Sequence, residues 1–503
     1  MDYWCERTPK YMNLTVKEWK NISAPLETRE GKTSYSRCVT YDINDENYGK
    51  NFSKIRCHSW EYDHSQYKSS VIEKWNLVCE SSWLSSLAGS SYFLGFFVSA
   101  VVSGQISDRY GRKRVILSGL VIHITFGILC SFSLYYWMFT ASRFLLSVGV
   151  TATHLTLFVY VMEVVGSTSR EKVIVIQCFS YSLGILLLTG VSWFLRDWSH
   201  IQLCCTLPST LSLIFISMIP ESPRWLLTHG RLRKAEDVIQ NIMNKNKRHV
   251  EDLTEIIEEL HWKIKTNEKK RKLNFLHLIR KKELRKITFI MYILWLVIVF
   301  DVYSISLNAD ITGGNIFLLF VLFSLLTSCV SGVLNIVLPR FGRRHILMFG
   351  YFSVGIISLL IAVVPNGLIW LRIAFLVLCR FCMSIASNTI YGFTLELYPT
   401  VVRNVGIGSC STVARIGAIA APFMKDLSEK VNWSIPFVIV GVLTILCGMC
   451  IFPLPETKSV RLNDTIVNYS KRYSSWMRIP AEVDDSGAPM KNRSAGEVWK
   501  QIW

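Results

Sequence analysis

Arg415 stands midway along the apolar run GIGSCSTVARIGAIAAPF. A charge at the centre of a membrane helix costs about 2.5–3.5 kcal/mol even on the lenient insertion scale, so it needs a reason to be there. Snorkelling to an interface is one reading, but mid-span is too far from either side. A structural ion pair is a second, and Asp301 is the best acid on another apolar segment. Anion binding is the third and preferred reading, because a guanidinium grips a carboxylate or sulfate with two parallel N–H donors. Arg380, in CRFC, is a further candidate for the same task. Arg143, in SRFL, lies near a span end and is expected to snorkel.

A second set of charges sits where apolar segments end. Asp108, Arg109, Arg112 and Lys113 form one group, followed by Glu163 with Arg170 seven residues on. Arg343 and Arg344 form another, followed by Glu396 with Arg403 seven on. Basic residues here can simply hold a loop in the cytosol. They can also form ion pairs that close in one state and open in the other, which makes a gate. Pro339 stands where the first set has Asp108, so the second latch is expected to be weaker.

The elements that position these groups follow from composition. The chain has 503 residues, 50% hydrophobic and 18% charged, with a mean hydropathy of +0.31. A soluble domain is nearer a quarter charged. Eleven stretches are long and apolar enough to span a bilayer: 83–106, 115–136, 139–161, 173–194, 201–219, 287–305, 316–338, 346–364, 369–393, 405–424 and 435–452. This excludes a disordered chain, a disulfide-scaffold peptide and an ordinary cytosolic enzyme. The net charge of +18 does not point to nucleic acid, because the excess falls at the ends of apolar segments.

Counting charge orients the chain. Residues 107–114 carry four basic groups and one acid, 339–345 carry three and none, and 221–286 carry 18 and 10. Residues 1–82 balance 12 against 12. The expected division is therefore an outer, glycosylated, Cys-bearing loop (1–82), an N-terminal bundle (83–220), a cytoplasmic basic linker with helices (221–286), a C-terminal bundle (287–452) and a cytoplasmic tail (453–503). The outer loop holds acceptor sequons at Asn13, Asn21 and Asn51. It also holds Cys5, Cys38, Cys57 and Cys79, which suggest two disulfides with three possible pairings, free thiols being the alternative. The other ten cysteines read as small apolar packing residues. The runs Lys269–Lys272 and Arg280–Lys282 in the linker read as a solvated or lipid-headgroup-facing surface. Nothing before residue 83 is apolar enough to carry 1–82 across a membrane, so a further spanning helix is expected upstream of Met1, making twelve.

The charged signposts repeat. Asp108, Glu163 and Glu221 are separated by 55 and 58 residues, and Pro339, Glu396 and Glu456 by 57 and 60. Two similar helical halves joined by a basic linker explain this, an all-α membrane architecture of the major facilitator type with a site between the halves. The motifs GQISDRYGRK, YVMEVVG, PESPRWL, SLNADITGGN, ELYPTVVRN and STVARIGAIAAP resemble the solute carrier 22 family, the organic cation, organic anion and carnitine transporters. The resemblance runs from Tyr3 to Lys458. It implies that His154, Phe158, Tyr181, Trp295, Tyr303, Asn388 and Tyr391 line a central cavity with Arg415. It also implies that anion and carnitine carriers have Arg at the position of Arg415, where cation carriers have an acid.

The expected function is secondary transport of small organic ions, preferentially anions or carnitine-like zwitterions, at the plasma membrane. An organic cation carrier using cation–π contacts and a transport-inactive scaffold are the alternatives. His154 either couples transport to protons or simply bonds a neighbour. No nucleophile elbow, zinc spacing or phosphate loop stands in the sequence, so no enzyme, metal or cofactor is expected. The expected partners are a small organic ion and membrane lipid.

Overall fold

The computed structural model describes residues 2–29, 32–42, 54–166, 169–247, 252–269, 280, 282–312, 314–365, 367–399 and 402–457. The segment before residue 82 is built from short pieces. β1 (Tyr3–Cys5) pairs with β6 (Trp60–Tyr62), β2 (Leu26–Arg29) with β3 (Lys32–Tyr35), and β4 (Val39–Tyr41) with β5 (Lys54–Arg56), all antiparallel. α1 (Val16–Ser23) starts at a capping box in which the Thr15 hydroxyl accepts from Glu18 N–H and the Glu18 carboxylate accepts from Thr15 N–H. Two-stranded ladders are marginal on their own. Here two disulfides clamp them, Cys5–Cys57 and Cys38–Cys79, each with Cα atoms 5.7 Å apart. Buried Trp19 fills the space between and donates its indole N–H to Cys5 O at 2.9 Å. Asn13 and Asn21 are exposed; Asn51 lies outside the described residues.

Ten helices are long and apolar enough to cross a membrane, and Ile435–Cys450 is a shorter apolar one. The first half comprises α2 (Ser82–Tyr110), α3 (Arg112–Ser131), α4 (Tyr136–Val164), α5 (Arg170–Leu195) and the pair α6 (Trp198–Thr206) and α7 (Pro208–Met218). The second comprises α11 (Lys282–Leu307), α12 (Ile316–Phe341), α13 (Arg343–Val363), α14 (Ile369–Leu397), α15 (Arg403–Ala420) with α16 (Phe423–Lys430), and α17 (Ile435–Cys450). Between the halves lie α8 (Pro223–Thr228), α9 (Leu232–Lys245) and α10 (Leu253–Lys269). These three amphipathic helices bury Trp225, Leu227, Ile239, Met243, Ile257 and Leu260 against one another. Of the basic runs in this linker, Lys270–Lys272 and Lys281 lie outside the described residues.

The eleven apolar stretches all appear, with informative differences. Several helices outrun their hydropathy: 83–106 becomes Ser82–Tyr110, and 369–393 becomes Ile369–Leu397. Hydropathy marks the part that sits in lipid, whereas helical hydrogen bonding continues into the aqueous layer. Two stretches break, at Pro208 and Pro422, because proline supplies no N–H to the helix. The second half is the better packed. Trp295, Tyr351, Tyr398 and Phe393 are almost wholly buried, and Tyr351 and Tyr398 satisfy their hydroxyls on Leu294 O and Thr288 Oγ1.

The Cys-bearing segment rides on the first half. Lys68 N–H donates to Arg196 O, Lys74 Nζ to Ser133 O, and Trp75 Nε1 to Leu134 O. The end of the molecule that carries it is called the disulfide face here; the opposite end is the basic face.

Two expectations follow. Removing the Cys38–Cys79 bridge as a double serine variant frees a loop with a sequence separation of 41; chain entropy puts the loss at about 4 kcal/mol, read as a lower melting temperature of purified protein. Glu61 supplies the second. Burial pushes its carboxyl up, but hydrogen bonds from Arg7 and Trp4 outweigh this and hold it below the usual carboxylate value. Its stabilisation is therefore full above the ordinary glutamate value and is lost as pH falls through the lower folded one, below about pH 4. Faster cleavage of this segment by an acid-active protease in that range, absent in Glu61→Gln, is the expected result.

Candidate functional site

The charged signposts meet at the basic face. Arg112 Nη2 lies 3.1 Å from Glu163 Oε1, and its Nη1 lies 2.6 Å from Asp108 Oδ1. The Glu221 carboxylate accepts from the backbone N–H groups of Arg112 at 2.9 Å and Lys113 at 3.1 Å. A carboxylate at a helix N-terminus satisfies otherwise orphaned donors. Ser222 adds a hydrogen bond to Glu163 at 2.7 Å, and Lys113 Nζ donates to Ser217 O. The second half repeats the arrangement. Arg343 Nη2 lies 2.7 Å from Glu396, and Glu456 accepts from the N–H groups of Arg343 and Arg344. Arg344 Nη2 donates to Phe452 O.

One glycine opens each cluster. Gly111 has φ +109° and Gly342 φ +81°, a backbone that disfavours side chains. A Cβ at either would also run into the capping carboxylate of Glu221 or Glu456. No acid occupies the Pro339 position, so Arg343 lacks the extra partner that Asp108 gives Arg112.

Not every expected gate residue joins in. Arg403 Nε and Nη2 have no hydrogen-bond partner among the described residues, so its expected role in the second cluster is not seen. Glu396 has already been taken by Arg343. Arg109 points outward over Tyr110. The side chain of Arg170 lies outside the described residues.

The two halves meet along a seam that starts at the disulfide face. Ser82 donates to Asp426, Ser86 to Pro422 O and Ser90 to Ile419 O. Phe93 packs on Tyr303 at 4.5 Å between ring centres. A parallel contact joins α5 and α12, where Ser324 donates to Ser182 O and Trp193 meets Phe317 edge-on at 5.1 Å. Tyr67 of the Cys-bearing segment packs on the same Phe317. These inter-half contacts lie between the disulfide face and mid-bundle, whereas the acid–base clusters at the basic face stay within their own halves.

Arg415 sits at the inner end of the seam. Its guanidinium carbon is 3.8 Å from the centre of the Phe96 ring. Its Nε has no hydrogen-bond partner among the described residues. Its charge reaches His154, Tyr303 and Tyr391. Arg380 lies over Phe323, 5.7 Å from the ring centre; its charge also reaches Tyr303, as well as Tyr181, and its Nε and Nη1 are unpartnered. The charges of two guanidiniums thus reach Tyr303, and neither has an ion pair to a carboxylate among the described residues. Asp301 does not serve: it is wholly buried inside the second half and accepts from Thr444 at 2.8 Å. The pairing of Arg415 with Asp301 does not form.

Of the expected wall residues, Tyr181 and Tyr391 are about half exposed or more, and His154 and Phe158 are also open. His154 Nε2 lies 3.4 Å from Gln177 Nε2. Asn388 spends its amide N–H on Ser384 O. Trp295 is a correction. It is 1% exposed and lies behind the wall, donating to Thr394 and supporting Tyr391 edge-on at 4.4 Å. Its place on the helix face beside Tyr303 is right, but packing against α14 covers it. Arg143 is another: it is held between Tyr92 and Phe139 rather than snorkelling. Sequence reasoning missed Phe96 and Gln177, which carry no signal in an apolar helix. It also passed over Glu221 and Glu456 as capping groups, although their repeat was in plain view.

This arrangement defines a two-bundle carrier, and comparison agrees. Residues 39–468 match the family described as sugar (and other) transporter. An organic cation transporter protein of Drosophila melanogaster is 34% identical over 446 residues, covering 86% of this chain and 80% of the relative. The human organic cation/carnitine transporter 2 is 30% identical over 475 residues, covering 92% and 85%. Mouse solute carrier family 22 member 4 is 30% identical over 478 residues, covering 92% and 86%. Among solved structures, an inward open conformation of the xylose transporter XylE from E. coli superimposes with a TM-score of 0.59 at 16% identity, over 76% of this chain and 89% of that one. The chain belongs to the sugar (and other) transporter family of the major facilitator superfamily, within its solute carrier 22 branch. It is a multi-pass integral membrane transporter and not an enzyme.

Arg112 and Glu163 are each about nine-tenths covered. Arg112→Ala leaves Glu163 without its counter-ion, and the expected loss is about 3 kcal/mol, measured by thermal unfolding in detergent. Glu396→Gln is expected to lose less, because the Arg343 pair is more open.

Proposed function

We propose that this transporter carries small organic anions, or carnitine-like zwitterions held by their carboxylate, by alternating access. The observation that supports this best is Arg415: a mid-membrane guanidinium at the junction of the halves, with an unpartnered Nε and no acid paired to it among the described residues. Arg380 adds a second positive group whose charge also reaches Tyr303. Tyr181, Tyr303, Tyr391, Phe158 and His154 would form the apolar and hydrogen-bonding walls that an amphipathic solute needs.

On this reading the disulfide face is extracellular and glycosylated at Asn13 and Asn21, and the plasma membrane is the site of action. The seam from Ser82 to Arg415 joins the halves on the outer side. The clusters around Arg112 and Arg343 act as the inner gate, their contacts changing when the outer seam opens.

A cation carrier is the second reading. The aromatic rings favour it, as does the name of the Drosophila relative. The two readings separate on one substitution. Uptake of radiolabelled p-aminohippurate, L-carnitine and tetraethylammonium is measured in cells expressing the parent and Arg415→Asp at matched surface abundance. Loss of a charged hydrogen-bond partner is worth about 1.5–3 kcal/mol, so uptake of the two carboxylates at low concentration is expected to fall at least tenfold. Carboxylate uptake at the parental rate by Arg415→Asp overturns the anion reading; parental uptake of tetraethylammonium alone establishes the cation reading.

A further inference from the structure

Phe96 and Arg415 come from opposite halves, α2 and α15, and both are held in place by their own half. Gly95, next to Phe96, packs so closely on α4 that a Cβ there would strike Phe144 O. Gly417, two residues beyond Arg415, is in the same situation against Leu296 O of α11. Neither helix can slide to relieve a misplaced side chain. The contact between ring and guanidinium is therefore set by how the two halves are docked.

The seam residues of α2 fall on one face: Ser82, Ser86, Ser90, Phe93 and Phe96 recur at helical spacing. The next polar residue along, Ser99, turns to its own half and donates to Val148 O. Phe96 is thus the innermost rung of this face. At 3.8 Å the guanidinium lies against the ring. A stacked guanidinium keeps its in-plane N–H donors free, because the ring occupies only its face. The unpartnered Nε fits that geometry.

We infer that Phe96 is a positioning residue for the anion site: its ring holds Arg415 by cation–π contact so that the guanidinium edge faces an incoming carboxylate. The inference rests on Arg415 being the anion site. It adds that the site is shared, one half supplying the charge and the other the surface that orients it. A carboxylate on the edge partly neutralises the cation and weakens its hold on the ring. Ligand binding and docking of the halves are then linked through one contact.

The test uses the full-length transporter in oocytes, with saturation kinetics of p-aminohippurate and L-carnitine uptake. Phe96→Leu keeps an apolar side chain and removes the ring. A cation–π contact of this kind corresponds to about a three- to tenfold rise in KM. Phe96→Trp is expected to restore KM. Fluorinated phenylalanines at position 96 keep the shape and drain the ring of negative charge, so KM is expected to climb with each added fluorine while surface abundance stays constant. A flat fluorine series overturns the inference, because a packing role would not sense the ring's electrons. The two readings fail differently. If Arg415→Ala raises KM and the fluorine series is flat, only the positioning role falls. If Arg415→Ala leaves KM unchanged, the anion site itself is elsewhere and both fall.

Discussion

A guanidinium held halfway across a membrane, with no carboxylate paired to it among the described residues, governs the arrangement around it. Water is absent from hydrocarbon, so the charge has to be met by protein or by a solute. The chain meets it incompletely. An aromatic face covers one side of the guanidinium, whose charge reaches Tyr303 and Tyr391 and whose buried Nε has no hydrogen-bond partner among the described residues. The one acid deep in the second half, Asp301, is bonded to Thr444 instead. On the proposed reading such a residue is tolerable because its partner arrives and leaves.

The rest of the architecture divides into contacts that join the halves and contacts that keep each half intact. The acid–base clusters at the basic face belong to the second kind in this state. Each ties a helix N-terminus to a carboxylate from a distant stretch of chain, and each depends on a glycine that admits no side chain. They tie each half together at its basic-face end. The seam of serine hydroxyls, Ser86 and Ser90 on backbone carbonyls and Ser82 on the Asp426 carboxylate, is of the first kind. Single neutral hydrogen bonds are worth only about 1 kcal/mol each. A few of them hold two bodies together without locking them.

Much of this was legible in the sequence. The spans follow from hydropathy, the halves from the repeat of Asp108, Glu163 and Glu221 in Pro339, Glu396 and Glu456, and the ion pairs of Arg112 and Arg343 from charge at span ends. The loss of Trp295 from the wall was not legible, since period and face place it correctly and only the packing of α14 hides it. Phe96 was invisible for the opposite reason: one phenylalanine in an apolar helix looks like any other until the partner helix is in place. Glu396 pairs with Arg343 as Glu163 pairs with Arg112, which charge and spacing anticipate; that Arg403 Nε and Nη2 have no partner among the described residues was not legible.

The Cys-bearing segment is bonded to the loops of the first half at Arg196, Ser133 and Leu134 and rests on the second at Phe317. The segment thus bridges both bundles through Tyr67, so a relative movement of the halves has to be absorbed at the Tyr67–Phe317 contact, the softer of its two attachments.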